Sequence, residues 1–226
     1  MALSARNLLL VLGSVVVVAA GGVYFFVNQP EASAIPASGA APTAVAAAGD
    51  ELMVAGPLGE KALGDPNAKV TVIEYASMTC SHCANFHETT FTPFKEKYVD
   101  TGKVRFIFRE YPLDPVATSA FMLARCAPGD SFFPMVDLLF RQQKTWAFSD
   151  RPADALFNIV KQVGFTQESF KACLTNQQIL DGVNWVKNRG AETFEVTSTP
   201  TFFINGVKQS GALGIEELDK QIEPLL

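Results

Sequence analysis

The sequence predicts an α/β fold in which a block of helices separates two strand-bearing ends. Two near-continuous apolar runs, KVTVIEY from Lys69 to Tyr75 and VRFIFREY from Val104 to Tyr111, predict buried strands with a helical segment between them. Near the C-terminus, TPTFFINGVKQSG predicts a strand, an Asn-Gly turn and a second strand. Segments of helical period occupy the interval between the two ends, so most of the helices form an insertion.

The composition indicates one domain and argues against a nucleic-acid partner. The chain has 226 residues, of which 48% are hydrophobic, and this is enough for a single domain with an ordinary core. The formal net charge is −5, and no run of lysine or arginine occurs. A nucleic-acid partner requires a basic face, so we expect no nucleic-acid binding.

The first 29 residues predict a segment that directs the chain to a membrane. Leu8 to Val27 is a run of 20 uncharged residues that follows Arg6, as in a helix that spans the inner membrane and leaves the remainder outside the cytoplasm. Ala32-Ser33-Ala34 provides the alternative of a cleaved signal peptide. Both interpretations export the domain, which is either anchored by residues 8–27 or soluble after cleavage.

Residues 30–49 predict a tether between this segment and the domain. Nine alanines lie between Glu31 and Gly49, and too few large apolar side chains are present to build a core. We therefore place the folded domain at residues 50–226.

Each predicted helix of the domain has its own sequence signal. The first begins at about Cys80 and extends to the region of Pro93, and with its flanking strands it forms a βαβ unit. In the insertion, Pro152 begins a helix that Gly164 ends. Three further helices follow from apolar residues at helical spacing: one is marked by Phe170, Cys173 and Leu174, one by Ile179, Val183 and Val186 with its end near Gly190, and the last spans Ile215 to Leu226.

Cys80 and Cys83 form a C-x-x-C motif directly after the first strand. This position puts Cys80 in the first turn of a helix, where unpaired N–H groups and the helix dipole lower the pKa of a thiol. We expect His82 to supply a hydrogen bond or positive charge to the same sulfur. Cys83 lies one turn further on, from where it attacks a mixed disulfide formed at Cys80 and releases the substrate.

Glu74 is a carboxyl group within the first predicted strand. If that strand is buried on both faces, an ionised and unpaired carboxylate costs roughly several kcal/mol. We therefore expect Glu74 to carry a proton near neutral pH and to exchange it with Cys83. The alternatives are that Glu74 lies on the exposed face of an edge strand and that His82 is a solvent-facing side chain without a role.

Cys126 and Cys173 are predicted to form a second, structural disulfide inside the insertion. Cys173 shares an inward helical face with Phe170 and Leu174, and an exported domain meets an oxidising compartment. Two buried free cysteines and a regulatory redox pair are the alternatives. The two residues are too far apart in the sequence to complete a zinc site with the C-x-x-C motif, so we expect no metal.

Two motifs resemble those of a known family. LGDPNAKVTVIEYASMTCSHC, from Leu63 to Cys83, and TSTPTFFING, from Thr197 to Gly206, are similar to the active-site entry and the cis-proline strand of the DsbA-like thiol–disulfide oxidoreductases. The resemblance covers about residues 63–226. It implies a thioredoxin fold with an inserted helical subdomain at about residues 113–193.

The resemblance also implies a role for particular residues. Cys80 matches the nucleophile, Cys83 the resolving cysteine and Glu74 the buried acid of the family. Pro200 matches the cis-proline, and an extended substrate chain is expected to pair with the backbone of Thr199. The sequence departs from the family pattern at Ser81, where proline is common, and at Glu195, where many relatives have glycine.

Three functions remain open at this point. The first is a dithiol oxidase that donates the Cys80–Cys83 disulfide to newly exported, cysteine-containing proteins in the periplasm and is reoxidised by a DsbB-type membrane protein. The second is a disulfide isomerase or reductase, although family isomerases carry a dimerisation module where this chain has only the tether. The third is a chaperone that binds a soft metal through the two cysteines. We expect a monomer that uses no cofactor.

Overall fold

The computed structural model describes residues 51–226 of the chain. The apolar run at residues 8–27, its possible cleavage site and the tether at residues 30–49 lie outside the described residues. Within residues 51–226, no helix has both the length and the hydropathy needed to cross a bilayer.

The described elements follow the predicted order of strands and helices. The five strands are β1 (Lys61–Leu63), β2 (Val70–Ala76), β3 (Val104–Glu110), β4 (Thr201–Ile204) and β5 (Val207–Ser210). The α-helices are α1 (Ser81–Thr89), α2 (Phe91–Phe94), α3 (Pro115–Arg125), α4 (Phe132–Arg141), α5 (Gln143–Trp146), α6 (Pro152–Val160), α7 (Gln167–Leu174), α8 (Gln177–Thr193) and α9 (Ile215–Ile222). Short π or 3₁₀ turns extend three of them, at Lys95–Val99, Lys161–Val163 and Glu223–Leu225.

The strands form one mixed sheet with the order β1-β3-β2-β4-β5. Strands β2 and β3 are parallel, and the other neighbouring pairs are antiparallel. The predicted βαβ unit is therefore confirmed, and β2 occupies the central position that its apolar run predicts. Asn205 and Gly206 join β4 to β5 with positive φ values of 44° and 86°, as the predicted hairpin turn requires.

Apolar side chains cover the sheet on both faces. Val72, Phe106 and Phe108 point into a large core shared with the helices of the insertion. On the opposite face, Ile73 and Tyr75 belong to a smaller core. Because both faces are covered, a side chain in the middle of β2 is shielded from water in either direction.

Two predicted helix ends differ from the structure. The helical path does not end near Pro93, because α1 ends at Thr89 and Pro93 lies early in α2, where a backbone N–H has no partner within the helix. Helix α8 continues past Gly190 to Thr193. A Cβ atom at position 190 would lie 2.7 Å from Cε1 of Tyr75, so this glycine allows close packing and does not end the helix.

Candidate active site

The two cysteines of the C-x-x-C motif lie where β2 passes into α1. A backbone hydrogen bond of 3.1 Å from the Cys80 N–H to the Ser77 carbonyl oxygen closes a turn after the strand. Cys80 then takes the N-cap position of α1 with an extended backbone, at φ −79° and ψ 118°. Both cysteines are free thiols, and Cys80 is 9% exposed whereas Cys83 is fully buried. Only the Cys80 sulfur is therefore within reach of a second protein.

The environment of Cys80 favours its thiolate. The hydrogen bond from the Cys83 thiol has the largest effect, and the Thr199 side chain and the backbone N–H groups of Cys83 and His82 act in the same direction. Together they outweigh burial and lower the pKa of Cys80 from 9.0 to about 5. The Thr199 hydroxyl is buried and has no hydrogen-bond partner in the described part of the chain, so the lowered pKa of Cys80 rests first on the Cys83 thiol. Cys80 thus has the properties of an activated nucleophile and of a good leaving group.

The environment of Cys83 has the opposite effect. Burial raises the pKa of Cys83 well above 9.0, and the hydrogen bond to Cys80 and the negative charge of Glu74 act in the same direction. In the reduced site, Cys83 therefore holds its proton while Cys80 loses its own. This asymmetry assigns different chemistry to two thiols that are one helical turn apart.

Glu74 lies in the middle of β2 and is fully buried. Its Oε2 atom is 3.0 Å from Nε2 of His87, whereas Oε1 has no hydrogen-bond partner among the described residues. The alternative of an exposed edge-strand position is therefore wrong for Glu74. Exchange of a proton between Glu74 and Cys83 stays a prediction.

The His82 side chain is exposed at the start of α1. Within residues 51–226, no hydrogen bond joins its ring to the Cys80 sulfur, and the contribution of this residue to the thiolate comes from its backbone N–H. The predicted role of the imidazole remains a prediction that the geometry does not test.

The segment before β4 completes the surroundings of Cys80. The Thr199–Pro200 peptide bond is cis, as the family resemblance implies. The Sγ atom of Cys80 lies 3.2 Å from the Thr199 carbonyl oxygen, although 119 positions separate the two residues. The segment that follows the helical insertion and contains Thr199 therefore lies beside the C-x-x-C motif.

Two polar side chains near the site have little or no signal of their role in the sequence. His87 follows Cys83 by four positions on α1, and that helical spacing was an available signal for a shared face. Gln143, on α5, donates hydrogen bonds from Nε2 to the carbonyl oxygens of Met78 and Cys80. It has no signal of its own in the sequence, because its partners are backbone atoms more than 60 positions away.

The predicted pairing of Cys126 with Cys173 is confirmed. The two residues form a disulfide with a Cα–Cα distance of 6.1 Å. Cys126 caps the C-terminus of α3 and Cys173 lies in α7, so the bond joins two helices of the insertion. Among residues 51–226, no group of three or more His, Cys, Asp or Glu side chains is placed to hold a metal ion.

Comparison with known proteins identifies relatives over most of the domain. A profile of the thioredoxin family matches residues 58–224. A Rickettsia typhi protein provisionally named protein-disulfide oxidoreductase is 34% identical over 166 residues, which cover 73% of this chain and 61% of that protein. A Rickettsia conorii protein with the same provisional name is 36% identical over 166 residues, covering 73% and 59%. The chain thus spans about three fifths of the length of these two relatives.

Solved structures show the same fold. The crystal structure of Wolbachia pipientis alpha-DsbA1 is 33% identical, with a TM-score of 0.72, and the match covers 78% of this chain and 95% of that one. Oxidised BdbD from Bacillus subtilis is 21% identical, with a TM-score of 0.66 and coverage of 74% and 92%, which is evidence for the fold alone. The thioredoxin-like α/β architecture with additional helices follows from these matches.

Proposed function

The chain belongs to the thioredoxin family, in its DsbA-like branch, and from that membership we propose that it is a protein-disulfide oxidoreductase that acts as a dithiol oxidase. In this role it introduces disulfides into exported proteins by exchange through Cys80 and Cys83. The Rickettsia relatives carry a name of this kind, and the Wolbachia structure is a DsbA.

One observation carries the proposal of an oxidase. The pKa of Cys80 is lowered to about 5 while that of Cys83 is raised well above 9.0. Stabilisation of the Cys80 thiolate favours the reduced form of the enzyme and so makes its disulfide a stronger oxidant. A reductase instead requires that the disulfide form be favoured over the reduced form.

The proposed reaction has two exchange steps. A substrate thiolate attacks Sγ of Cys80, the Cys80–Cys83 bond breaks, and Cys83 leaves as a thiolate that takes a proton from the Glu74 carboxyl group. A second substrate thiolate then attacks the substrate sulfur of the mixed disulfide and expels Cys80 as a thiolate. Two electrons pass from the substrate dithiol to the enzyme, and the products are a substrate disulfide, the Cys80 thiolate and the Cys83 thiol.

Thr199 and Pro200 are proposed to bind the substrate backbone. The Thr199 carbonyl oxygen lies beside the nucleophilic sulfur, so a chain that pairs with this segment brings its own cysteine to Cys80. His82, whose side chain is exposed at the start of α1, is proposed to supply a hydrogen bond or positive charge to the Cys80 sulfur.

The proposed setting is the periplasm. The apolar run at residues 8–27 is proposed to anchor the domain to the inner membrane, with release after signal cleavage as the alternative. Its proposed partners are newly exported proteins with unpaired cysteines and a DsbB-type membrane protein that accepts the two electrons. We also propose that the protein is a monomer.

The test is oxidation of a reduced, unfolded protein by the oxidised enzyme. We expect stoichiometric loss of substrate thiols. When the substrate cysteine is instead supplied as a mixed disulfide with glutathione, the Cys80 thiolate of Cys83→Ser protein should attack the substrate sulfur, expel glutathione thiolate and stay bound to the substrate, whereas Cys80→Ser protein should trap none. A redox titration against glutathione should give a disulfide that glutathione reduces readily. If the enzyme instead fails to oxidise dithiols but restores activity to a substrate with scrambled disulfides, the chain is an isomerase.

A further inference from the structure

Gln143 connects the helical insertion to the nucleophilic cysteine. It begins α5, is 3% exposed, and donates from Nε2 to the Met78 carbonyl oxygen at 2.8 Å and to the Cys80 carbonyl oxygen at 2.9 Å. Because both partners are acceptors, only the NH₂ end of the amide fits this position. Both amide hydrogens are therefore used on the backbone of the active-site turn.

These hydrogen bonds hold the segment that carries the Cys80 sulfur. Their two acceptors lie on either side of Thr79, in the turn that the Cys80 N–H closes on Ser77. The hydroxyl of Thr79 also donates to Oδ2 of Asp114, at 2.5 Å, just ahead of α3. The insertion thus holds this turn at two places, one just before α3 and one at the start of α5.

The Cys80 carbonyl group is the part of this contact that affects the chemistry. Its oxygen carries a partial negative charge within the residue whose sulfur becomes a thiolate, and a donated hydrogen bond offsets that charge. The fixed turn also keeps the backbone N–H groups of His82 and Cys83 directed at the sulfur, where they stabilise the thiolate. Loss of the amide should weaken both effects.

We propose that Gln143 is a positioning residue that holds Cys80 in the geometry that stabilises its thiolate, so that the oxidising strength of the site depends on the helical insertion. This inference deepens the proposed oxidase function and rests on it. Gln143 does not contact the reacting sulfur itself; it acts through the backbone of Cys80.

The experiment compares Gln143→Met with Gln142→Met in Cys83→Ser protein. Methionine matches glutamine in length and removes both donors, whereas the side chain of the adjacent Gln142 forms no hydrogen bond to this turn within residues 51–226. From the ultraviolet absorbance of the thiolate, we expect Gln143→Met to raise the Cys80 midpoint by about one pKa unit and Gln142→Met to leave it unchanged. With both cysteines present, the equilibrium with glutathione should shift by up to about tenfold toward the disulfide form, which is about 30 mV.

A purely structural role would lower the melting temperature of Gln143→Met and leave the Cys80 midpoint where it is, and that result overturns the proposal. If the variant does not fold, a pH titration of the wild-type protein by NMR tests the proposal instead. The side-chain amide resonances of Gln143 should then shift with the same midpoint as the ionisation of the Cys80 thiol. Resonances that stay constant through that titration also overturn it. Neither measurement uses a substrate, so each outcome is separate from a failure of the oxidase function.

Discussion

Nε2 of His87 lies 3.0 Å from Oε2 of Glu74, and both side chains are shielded from solvent. The imidazole stacks on the ring of Phe140, with centroids 4.4 Å apart and an interplanar angle of 23°. Glu74 comes from the centre of β2 and His87 from α1, so the pair joins the sheet to the helix that carries both cysteines. In the described residues, this is the one hydrogen bond of the Glu74 carboxyl group.

We predict that His87→Leu lowers the free energy of unfolding by about 1–3 kcal/mol, because the buried Glu74 carboxyl group then loses its hydrogen-bond partner. Urea denaturation of the oxidised protein measures this change. His82→Leu is the matched control, since it removes the exposed histidine of the same helix and should change stability by less than about 0.5 kcal/mol.

The double variant Glu74→Leu, His87→Leu tests whether the two residues act as a pair. Replacing both partners by apolar groups removes the unsatisfied carboxyl group, so the double variant should be more stable than His87→Leu alone. If the two single losses simply add, the residues are not coupled and the contact has no energetic significance.

A second prediction concerns the pH dependence of the reduced protein. The folded pKa of Cys80 is about 5, below its ordinary value of 9.0, so between these values the unfolded chain holds a proton that the folded chain has lost. Stability from this group is therefore fully present above about pH 9 and is lost as pH falls through about 5. Cys83 keeps its proton in the folded and unfolded states below about pH 9, because its folded pKa is raised. It therefore does not contribute to the change of unfolding free energy with pH between about pH 5 and pH 9.

The measurement is the difference in unfolding free energy between reduced wild type and reduced Cys80→Ser protein. Groups common to both cancel in this difference, which should grow steadily from about pH 5 to about pH 8. A difference that stays flat over this range would mean that Cys80 titrates as an ordinary thiol. The oxidised protein is the internal control, since its Cys80 has no proton to lose.

The parts of the fold that the sequence predicts are those with a local cause. The continuous apolar run of β2 requires a central strand, and the Asn205–Gly206 turn requires residues that accept positive φ. Cys80 is predicted at a helix start because it directly follows a strand. By contrast, β1 has only three residues and no periodic pattern, and it forms because the edge of β3 offers it a partner.

The parts that the sequence does not predict depend on distant contacts. Gly190 has the pattern of a helix end, but the ring of Tyr75, more than 100 positions away, determines its role. The same holds for Gln143, whose partners are backbone carbonyl groups. Titratable residues are an intermediate case: the apolar run of β2 favours burial of Glu74, whereas its pairing with His87 depends on the fold.

A third prediction concerns Glu195, which has a φ of 52°. A non-glycine residue in this left-handed region is disfavoured by about 1–2 kcal/mol, whereas glycine adopts it freely at an entropic cost of about 0.4–1 kcal/mol in the unfolded chain. Glu195→Gly should therefore raise the free energy of unfolding by about 0.5–1 kcal/mol. The side chain is 85% exposed and its 3.8 Å contact with Lys208 contributes little.

Glu195→Ala separates the two contributions, because it removes the same ion pair but keeps a Cβ atom at the left-handed position. Thermal unfolding should rank Glu195→Gly above wild type and Glu195→Ala no higher than wild type. Equal melting temperatures for the two variants would show that backbone conformation at this position has no measurable cost.

The last prediction concerns the disulfide between Cys126 and Cys173, which we propose to be structural. It closes a loop with a sequence separation of 47 residues, and the chain-entropy argument gives a stabilisation of about 4 kcal/mol. Replacing both cysteines by serine should therefore remove a large share of a typical total stability of about 5–15 kcal/mol, as measured by urea denaturation.

The bond joins α3 to α7, whereas the reacting sulfur lies at the start of α1, so the folded double variant should oxidise dithiols at close to the wild-type rate. When the oxidised wild-type protein is denatured without reductant, a thiol count should find no free thiols. If the Cys126–Cys173 bond is absent, the count should find two. Normal melting combined with an altered redox equilibrium of Cys80 and Cys83 would instead assign the pair a regulatory role, because a bond that contributes no stability can still bias the site through the helices it connects.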